Sequence, residues 1–247
     1  MYLYIYDSFL NDKKYNDLLI QIEKRITDLG IKGRVARLSI LKNMKELITD
    51  AVKDGVTTVI VIGNVQTFAK VINIVADLDV VLGLIPVDND NRIAKMLGIP
   101  PKVLACDVIA SRIVKKIDLG IINNHYFIGS AEINNSEVFL ENNGYTIQPT
   151  TTNNRIVIYN FASPNGNISS SPIDGILEAV ITPIRSTWLG KKEITGTVLP
   201  FTSLRIASQA QEQVSILSDE QTIMKTPAEI KIAPQKLKVI VGPERCF

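Results

Sequence analysis

The sequence predicts an α/β plus β chain: a doubly wound parallel-sheet N-terminal domain followed by a C-terminal β-sandwich domain. Three observations carry this. Up to about residue 105, apolar runs of strand type alternate with stretches of helical period, the pattern of βαβ units. Two of those runs, VTTVIVIG and VVLGLIP, each break into a short polar loop that opens a helix, which is the layout of a phosphate-binding α/β cleft. After Pro100 and Pro101 the helical period fades, and short β-branched runs separated by Asn, Gly, Ser and Thr clusters take over.

In order along the chain, Tyr2–Tyr6 reads as a strand. Tyr15–Leu29 reads as a helix with Leu18, Leu19, Ile22 and Ile26 on one face and Gly30 as its stop. Gly33–Ile40, Val56–Ile62 and Val80–Ile85 read as strands, alternating with helices over Met44–Asp54, Thr67–Ala76 and Arg92–Leu97. In the second half, strands are expected at Tyr126–Glu132, Glu137–Glu141, Arg155–Phe161, Leu177–Thr182, Glu193–Leu199, Glu212–Leu217, Ala228–Ile232 and Lys236–Val241, with a loop over Asn165–Ser171. The expected domains are 1–105 and 106–234. A final strand within 235–247 is expected to return to the first domain and close the cleft between them.

Composition narrows the function classes. The chain has 247 residues, a net charge of +2 and 46% hydrophobic residues, ample for a real core. No apolar run approaches the roughly 20 residues of a membrane-spanning helix, and the opening MYLYIYDSF has neither a basic leader nor a small-residue cleavage site, so the chain reads as cytoplasmic. Cys106 and Cys246 lie far apart, and His125, read as a turn residue, is the single histidine. Zinc chemistry and Ser-His or Cys-His triads are disfavoured. No basic block or basic-aromatic alternation points to a nucleic-acid partner, and an exposed edge of the β-sandwich would suit a homodimer.

Five short motifs occur in order: Gly63–Thr67 (GNVQT), Pro86–Pro100 (PVDNDNRIAKMLGIP), Ile117–Gly120 followed by Tyr126-Phe127, Asp174–Leu177 (DGIL), and Asp219 opening Asp-Glu-Gln. Together they resemble the bacterial diacylglycerol kinase and related lipid kinases, which share an ancestral fold with sphingosine kinases and, more distantly, NAD kinases. At these places the family carries Gly-Gly-Asp-Gly-Thr, Pro-x-Gly-Thr-x-Asn-x-x-Ala…Leu-Gly-Ile-Pro, Ile-Asp-Leu-Gly…Tyr-Phe, Asp-Gly-Leu-Leu and Asp-Gly-Glu. The resemblance implies ATP and Mg2+ as cofactors and a lipid or other small-molecule acceptor. It implies nucleotide contacts from Ser39, Gly63, Asn64, Val65, Gln66, Thr67, Asn89 and Asn91. Asp219 is the implied base that deprotonates the lipid hydroxyl. Asp174, with backbone carbonyls of Ser171 and Ile176, is the implied anchor of a structural magnesium, and Asp118 is expected to be structural.

The residues also admit plainer readings. Thr67 suits a helix N-cap, Asp88 and Asp90 suit a helix N-terminus, Pro172–Gly175 suits a turn, and Ser218–Gln221 suits a hairpin. Several positions depart from the family pattern. Val65 stands at its acidic position and neither accepts a hydrogen bond nor holds a metal, Gln66 replaces a glycine, and Lys70 replaces a glutamate. Asp88 and Asn89 stand for Gly and Thr, Gln221 for Glu, and Tyr6–Leu10 for an Asn-Pro-x-Ser-Gly loop. A mostly helical insertion is lost between Ile133 and Val138. The two expectations are an ATP-dependent lipid kinase and a pseudokinase that keeps the cleft to bind a lipid, another ligand or a protein.

Overall fold

A computed structural model describes residues 1–38, 43–133, 138–142, 144–149, 153–161, 170–187, 190–193, 196–208, 212–219 and 222–247. Ser39, Gln221, most of the expected Asn165–Ser171 loop and the segment between Ile133 and Val138 lie outside the described residues. The chain divides into two compact units, Met1–Ile117 with Lys236–Phe247, and Asp118–Gln235.

In the first unit, strand β1 (Tyr2–Tyr6) leads through short 3-10 turns to helix α1 (Asn16–Asp28), whose buried Leu19, Ile22 and Ile26 follow the i, i+3, i+7 spacing of one apolar face. Then come strand β2 (Arg34–Arg37), helix α2 (Met44–Lys53), strand β3 (Thr58–Gly63), helix α3 (Val65–Val75), strand β4 (Val81–Pro86), and helices α4 (Arg92–Met96) and α5 (Ala105–Ser111). All six residues of β3 are buried, as expected of a parallel strand covered on both faces. Strand β2 is largely exposed at the edge of the sheet, and residues 39 and 40, the end of the expected strand, lie outside the described residues.

The sheet runs β2-β1-β3-β4 with parallel neighbours. The chain passes from β1 to β2 on one side and then returns to lay β3 and β4 on the other, so the strand order reverses between β1 and β3. In open α/β sheets, ligands bind beyond the carboxyl ends of the strands at such a switch point. Gly83 shows how closely the layers approach: a Cβ there would lie 2.5 Å from Ile60 on β3 and 2.7 Å from Ile109 on α5.

Strand β5 (Val114–Ile122) carries the chain into the second unit, where β6 (His125–Phe127), β7 (Ser130–Ile133), β8 (Val138–Asn142), β9 (Tyr145–Ile147), β10 (Asn154–Tyr159), β11 (Leu177–Thr187), β12 (Gly190–Glu193), β13 (Thr197–Phe201), β14 (Ser203–Ser208), β15 (Ser215–Ser218) and β16 (Thr222–Lys225) follow. The last strand, β17 (Ala228–Ile240), pairs antiparallel with β14, and its Lys238 and Val239 pair in parallel with Val81 and Leu82 of β4. One antiparallel layer is ordered β12-β11-β10-β7-β15-β16, with β13 also on β11; the other places β14 between β8 and β17. Ile133, Ile156, Ile158, Ala179 and Ile216 from the first layer and Val138, Leu140, Leu204, Ile206 and Ile230 from the second form one buried cluster, the core of a β-sandwich.

Local differences from the sequence expectation have identifiable causes. The expected strand Tyr126–Glu132 is interrupted because Ile128, Gly129 and Ser130 turn their N–H groups onto the carboxylate of Asp219. His125 opens β6, opposite Ile122, after a turn in which Asn123 has φ +53°. The two expected strands at 228–232 and 236–241 are one strand across Pro234. Gln235, at φ +50°, gives its N–H to Asp118 Oδ1 at 2.7 Å, so a side chain supplies a partner where the ladder is disturbed. Gly120, opposite Phe127 in the β5–β6 pair, lies under that ring, and a Cβ would sit 2.0 Å from it, which explains glycine and aromatic together in that motif. Among the described residues no helix is long and apolar enough to cross a membrane.

Candidate functional site

The first unit places the predicted nucleotide-binding loops side by side at the carboxyl edge of its sheet. Gly63 ends β3 opposite Pro86, which ends β4, and the Val87 N–H donates to the Gly63 carbonyl at 3.1 Å. In the first loop Asn64, rather than Thr67, is the cap of α3: its Oδ1 accepts the Thr67 N–H at 3.1 Å. Thr67 falls on the third helical position and is buried. Its hydroxyl donates to the carboxylate of Asp7, the residue that follows β1, and lies 3.0 Å from Asn64 Oδ1. Gly63 is required for this arrangement, because a Cβ would lie 2.8 Å from the Thr67 hydroxyl. Val65 is half-buried, and Gln66 and Lys70 are exposed.

Asp7 is held in turn. Its N–H donates to Ile62 of β3 at 3.2 Å, and its Oδ1 accepts from the Ser8 hydroxyl at 3.2 Å and the Phe9 N–H at 3.4 Å, capping the 3-10 turn that follows. A carboxylate therefore stands at the switch point, bonded to the threonine hydroxyl that a phosphate would otherwise take. The residues here do not fit an anionic phosphate group: Thr67 and Asn64 are engaged within the protein, and the nearest added charge is negative.

In the second loop the helix cap is Asn91, whose Oδ1 accepts the Ala94 N–H at 3.0 Å; Asp88, Asn89 and Asp90 are exposed. The acidic pair thus does not cap α4, and Asp90 instead forms an ion pair with Lys95. Asn91 is 2% exposed and its Nδ2 is buried with no hydrogen-bond partner among the described residues. A cavity of about 240 Å³ opens here, bounded by Pro86, Asp88, Asn89, Asn91, Lys95 and Glu244 among others.

The second unit holds the other predicted residues. Asp219 is 8% exposed and at φ +46°. Its carboxylate accepts the N–H groups of Ile128 at 2.8 Å, Gly129 at 2.8 Å and Ser130 at 3.1 Å, while its own N–H donates to the Ser130 carbonyl at 2.8 Å. Asn160 holds the same segment from its other side, donating from Nδ2 to the carbonyls of Ile128 and Asp118 at 2.9 Å each. Asp118, 1% exposed, accepts the Gly175 N–H at 2.8 Å and the Gln235 N–H at 2.7 Å, a structural role.

Asp174 is exposed and accepts the N–H of Ile176 at 2.9 Å, the hydrogen bond of an Asx turn; Ser171 precedes that turn, half-buried. Nearby, buried Glu178 accepts the Ser170 hydroxyl, and its carboxyl is pushed above the usual carboxylate range by burial, against the Ser170 bond and with Asp174 adding to the shift. Among the described residues no three of His, Cys, Asp and Glu gather as metal ligands. Asp174 is thus placed as the acceptor of its own turn.

Two features here were missed by sequence reasoning. Asp7 enters the sequence pattern only within Tyr6–Leu10, although its place after a strand that borders the switch point signals proximity to the ligand edge. Asn160 carries no motif, and only its burial and its two carbonyl partners reveal its role.

The fold is thus a parallel α/β unit with polar loops at its switch point, followed in the chain by an antiparallel sandwich. The diacylglycerol kinase catalytic domain model matches residues 2–122, just under half of the chain, and that segment is similar to the diacylglycerol kinase family. Over 77 residues it is 38% identical to the diacylglycerol kinase of Bacillus subtilis (strain 168), a match that covers 30% of this chain and only 25% of that relative. A crystal structure of a diacylglycerol kinase from Bacillus anthracis str. Sterne superposes with a TM-score of 0.76 at 18% identity, covering 98% of this chain and 97% of that one. A second structure from the same organism gives 0.79 at 17% identity, with the same coverage of both chains. At these identities the likeness shows the fold.

Proposed function

We propose that this chain is a ligand-binding member of the lipid-kinase fold in which phosphoryl transfer has been lost. The observation that carries this reading is the state of Asp219. A general base must present its carboxylate to the hydroxyl it deprotonates. Here Oδ2 accepts the N–H of Ile128 and Oδ1 those of Gly129 and Ser130, and the residue is 8% exposed. Val65, at the family's acidic position, points the same way. Ligand binding itself is supported by the cavity beside Asn91 and the buried, unpartnered Nδ2 there.

A second reading, an ATP- and magnesium-dependent lipid kinase with Asp219 as base, is favoured by the match to a catalytic-domain model and by the retention of Gly63, Thr67 and Asn91. The test is transfer of radiolabelled γ-phosphate from ATP to diacylglycerol in mixed detergent micelles with magnesium. The proposal expects no lipid phosphate above the blank. Turnover that Asp219→Asn abolishes, without loss of folding, would establish the kinase reading instead.

A further inference from the structure

We infer that Asp7 is a specificity-determining residue that makes the switch-point loop reject phosphate groups, so that the site accepts a nucleoside-type ligand in preference to the corresponding nucleoside phosphate. The inference rests on the reading of this edge as a nucleotide-type site and deepens it. Three facts combine. Asp7 leaves the carboxyl end of β1 and Asn64 the carboxyl end of β3, the two strands between which the sheet order reverses. The Thr67 hydroxyl, the buried side-chain donor of the first turn of α3, is spent on the Asp7 carboxylate. The Asp7 main chain is fixed by its N–H bond to Ile62, and the carboxylate also accepts the Ser8 and Phe9 donors.

A phosphate entering the loop would have to displace this carboxylate from Thr67 and then lie beside it, two like charges within a few ångströms at a half-buried site. An uncharged ligand meets no such cost. The neighbouring cavity offers the buried Asn91 amide as a donor and the carboxylates of Asp88 and Glu244 as acceptors, groups that suit the hydroxyls and ring nitrogens of a nucleoside. Lys95, the cation lining this cavity, is already paired with Asp90.

The experiment is calorimetric titration of the full chain, as wild type, Asp7→Asn and Asp7→Ser, with adenosine, with ATP in EDTA, and with inorganic triphosphate. Asn keeps the shape, the turn cap and an acceptor for Thr67 while removing the charge; Ser keeps the cap and serves if the Asn variant folds poorly. The expected result is that ATP and triphosphate bind either variant at least tenfold more tightly than wild type, while adenosine affinity changes by less than about twofold. Triphosphate gained by the variants with adenosine bound by none upholds the charge block and removes the nucleoside reading. An ATP-to-adenosine affinity ratio equal in wild type and variants overturns the inference and leaves the nucleotide-type site intact. Absence of binding for all three probes in all three proteins overturns both.

Discussion

The hydroxyl of Thr67, on the first turn of α3, donates to the carboxylate of Asp7, 60 residues earlier at the end of β1. This bond ties the end of β1 to the helix that follows β3, across the switch point, and engages the threonine hydroxyl of the first loop. In the second unit Asp219 is likewise turned inward, onto three backbone N–H groups. Two groups on which phosphoryl transfer would depend are thus part of the fold's own bonding.

Asp219→Ala leaves three buried N–H groups without their acceptor and is expected to cost about 2 to 4 kcal/mol of stability. Asp219→Asn keeps one acceptor oxygen and a residue type that tolerates the left-handed backbone at φ +46°, and is expected to cost roughly half as much. Urea unfolding of the two variants checks the order. A residue serving catalysis alone would leave the unfolding midpoint where it is.

Glu178 gives a pH dependence of defined sign. Burial raises its carboxyl pKa in the folded protein above the unfolded value, so over that interval the folded state binds the extra proton, and stability falls as pH rises through it. Glu178→Gln removes the slope while keeping an acceptor for Ser170. The wild type is expected to lose ground to the variant from the ordinary carboxylate range upward, in melting temperatures recorded between pH 4 and 8. Parallel curves would contradict it.

Cys106 is buried and its thiol is pushed up to about 11, chiefly by burial, with Asp107 adding to the shift, whereas Cys246 is exposed near the end of the chain. Native protein is expected to show one thiol reacting rapidly with a disulfide reagent at pH 8, assigned to Cys246 by its loss in Cys246→Ser, and a second only on unfolding. Rapid modification of both would mean that α5 is not packed as described.

Gly98 has φ +68°, and a Cβ there would lie 2.3 Å from the Arg245 backbone nitrogen, in the C-terminal segment that bonds back to Leu97 and Met96 through Gly242 and Cys246. Gly98→Ala is expected to cost about 1 to 3 kcal/mol and to expose that segment to carboxypeptidase. Gly144→Ala, at φ +85° with open space around it, should cost only the backbone strain of about 1 kcal/mol. Equal losses in the two would remove the packing argument.

Much of the fold was legible because its signals are local. The alternation through β4 and α4 is written in apolar period, and every helix expected there is present within a few residues. The strand break at Ile128–Ser130 and the continuity of β17 across Pro234 were not legible, because each is set by a carboxylate distant in sequence, Asp219 in one case and Asp118 in the other. For the site, the two loops and their departures from the family pattern could be read from motif positions, whereas the caps were misassigned: Asn64, not Thr67, closes the first helix, and Asn91, not Asp88 or Asp90, the second. Such choices depend on backbone direction at the loop, which neighbouring residue types do not encode. Asp7 could not be paired with Thr67 from sequence, since only the order of strands in the sheet brings them together.

The most direct measurement is a thermal-denaturation titration of the wild-type chain with ATP and magnesium against adenosine at equal concentrations. A ligand at about 100 times its Kd stabilises by roughly 2.7 kcal/mol, a readily seen shift. With Asp7 closing the loop to phosphate, adenosine should raise the melting temperature and magnesium-ATP should leave it unchanged. A saturable magnesium-ATP shift larger than that of adenosine would contradict the account.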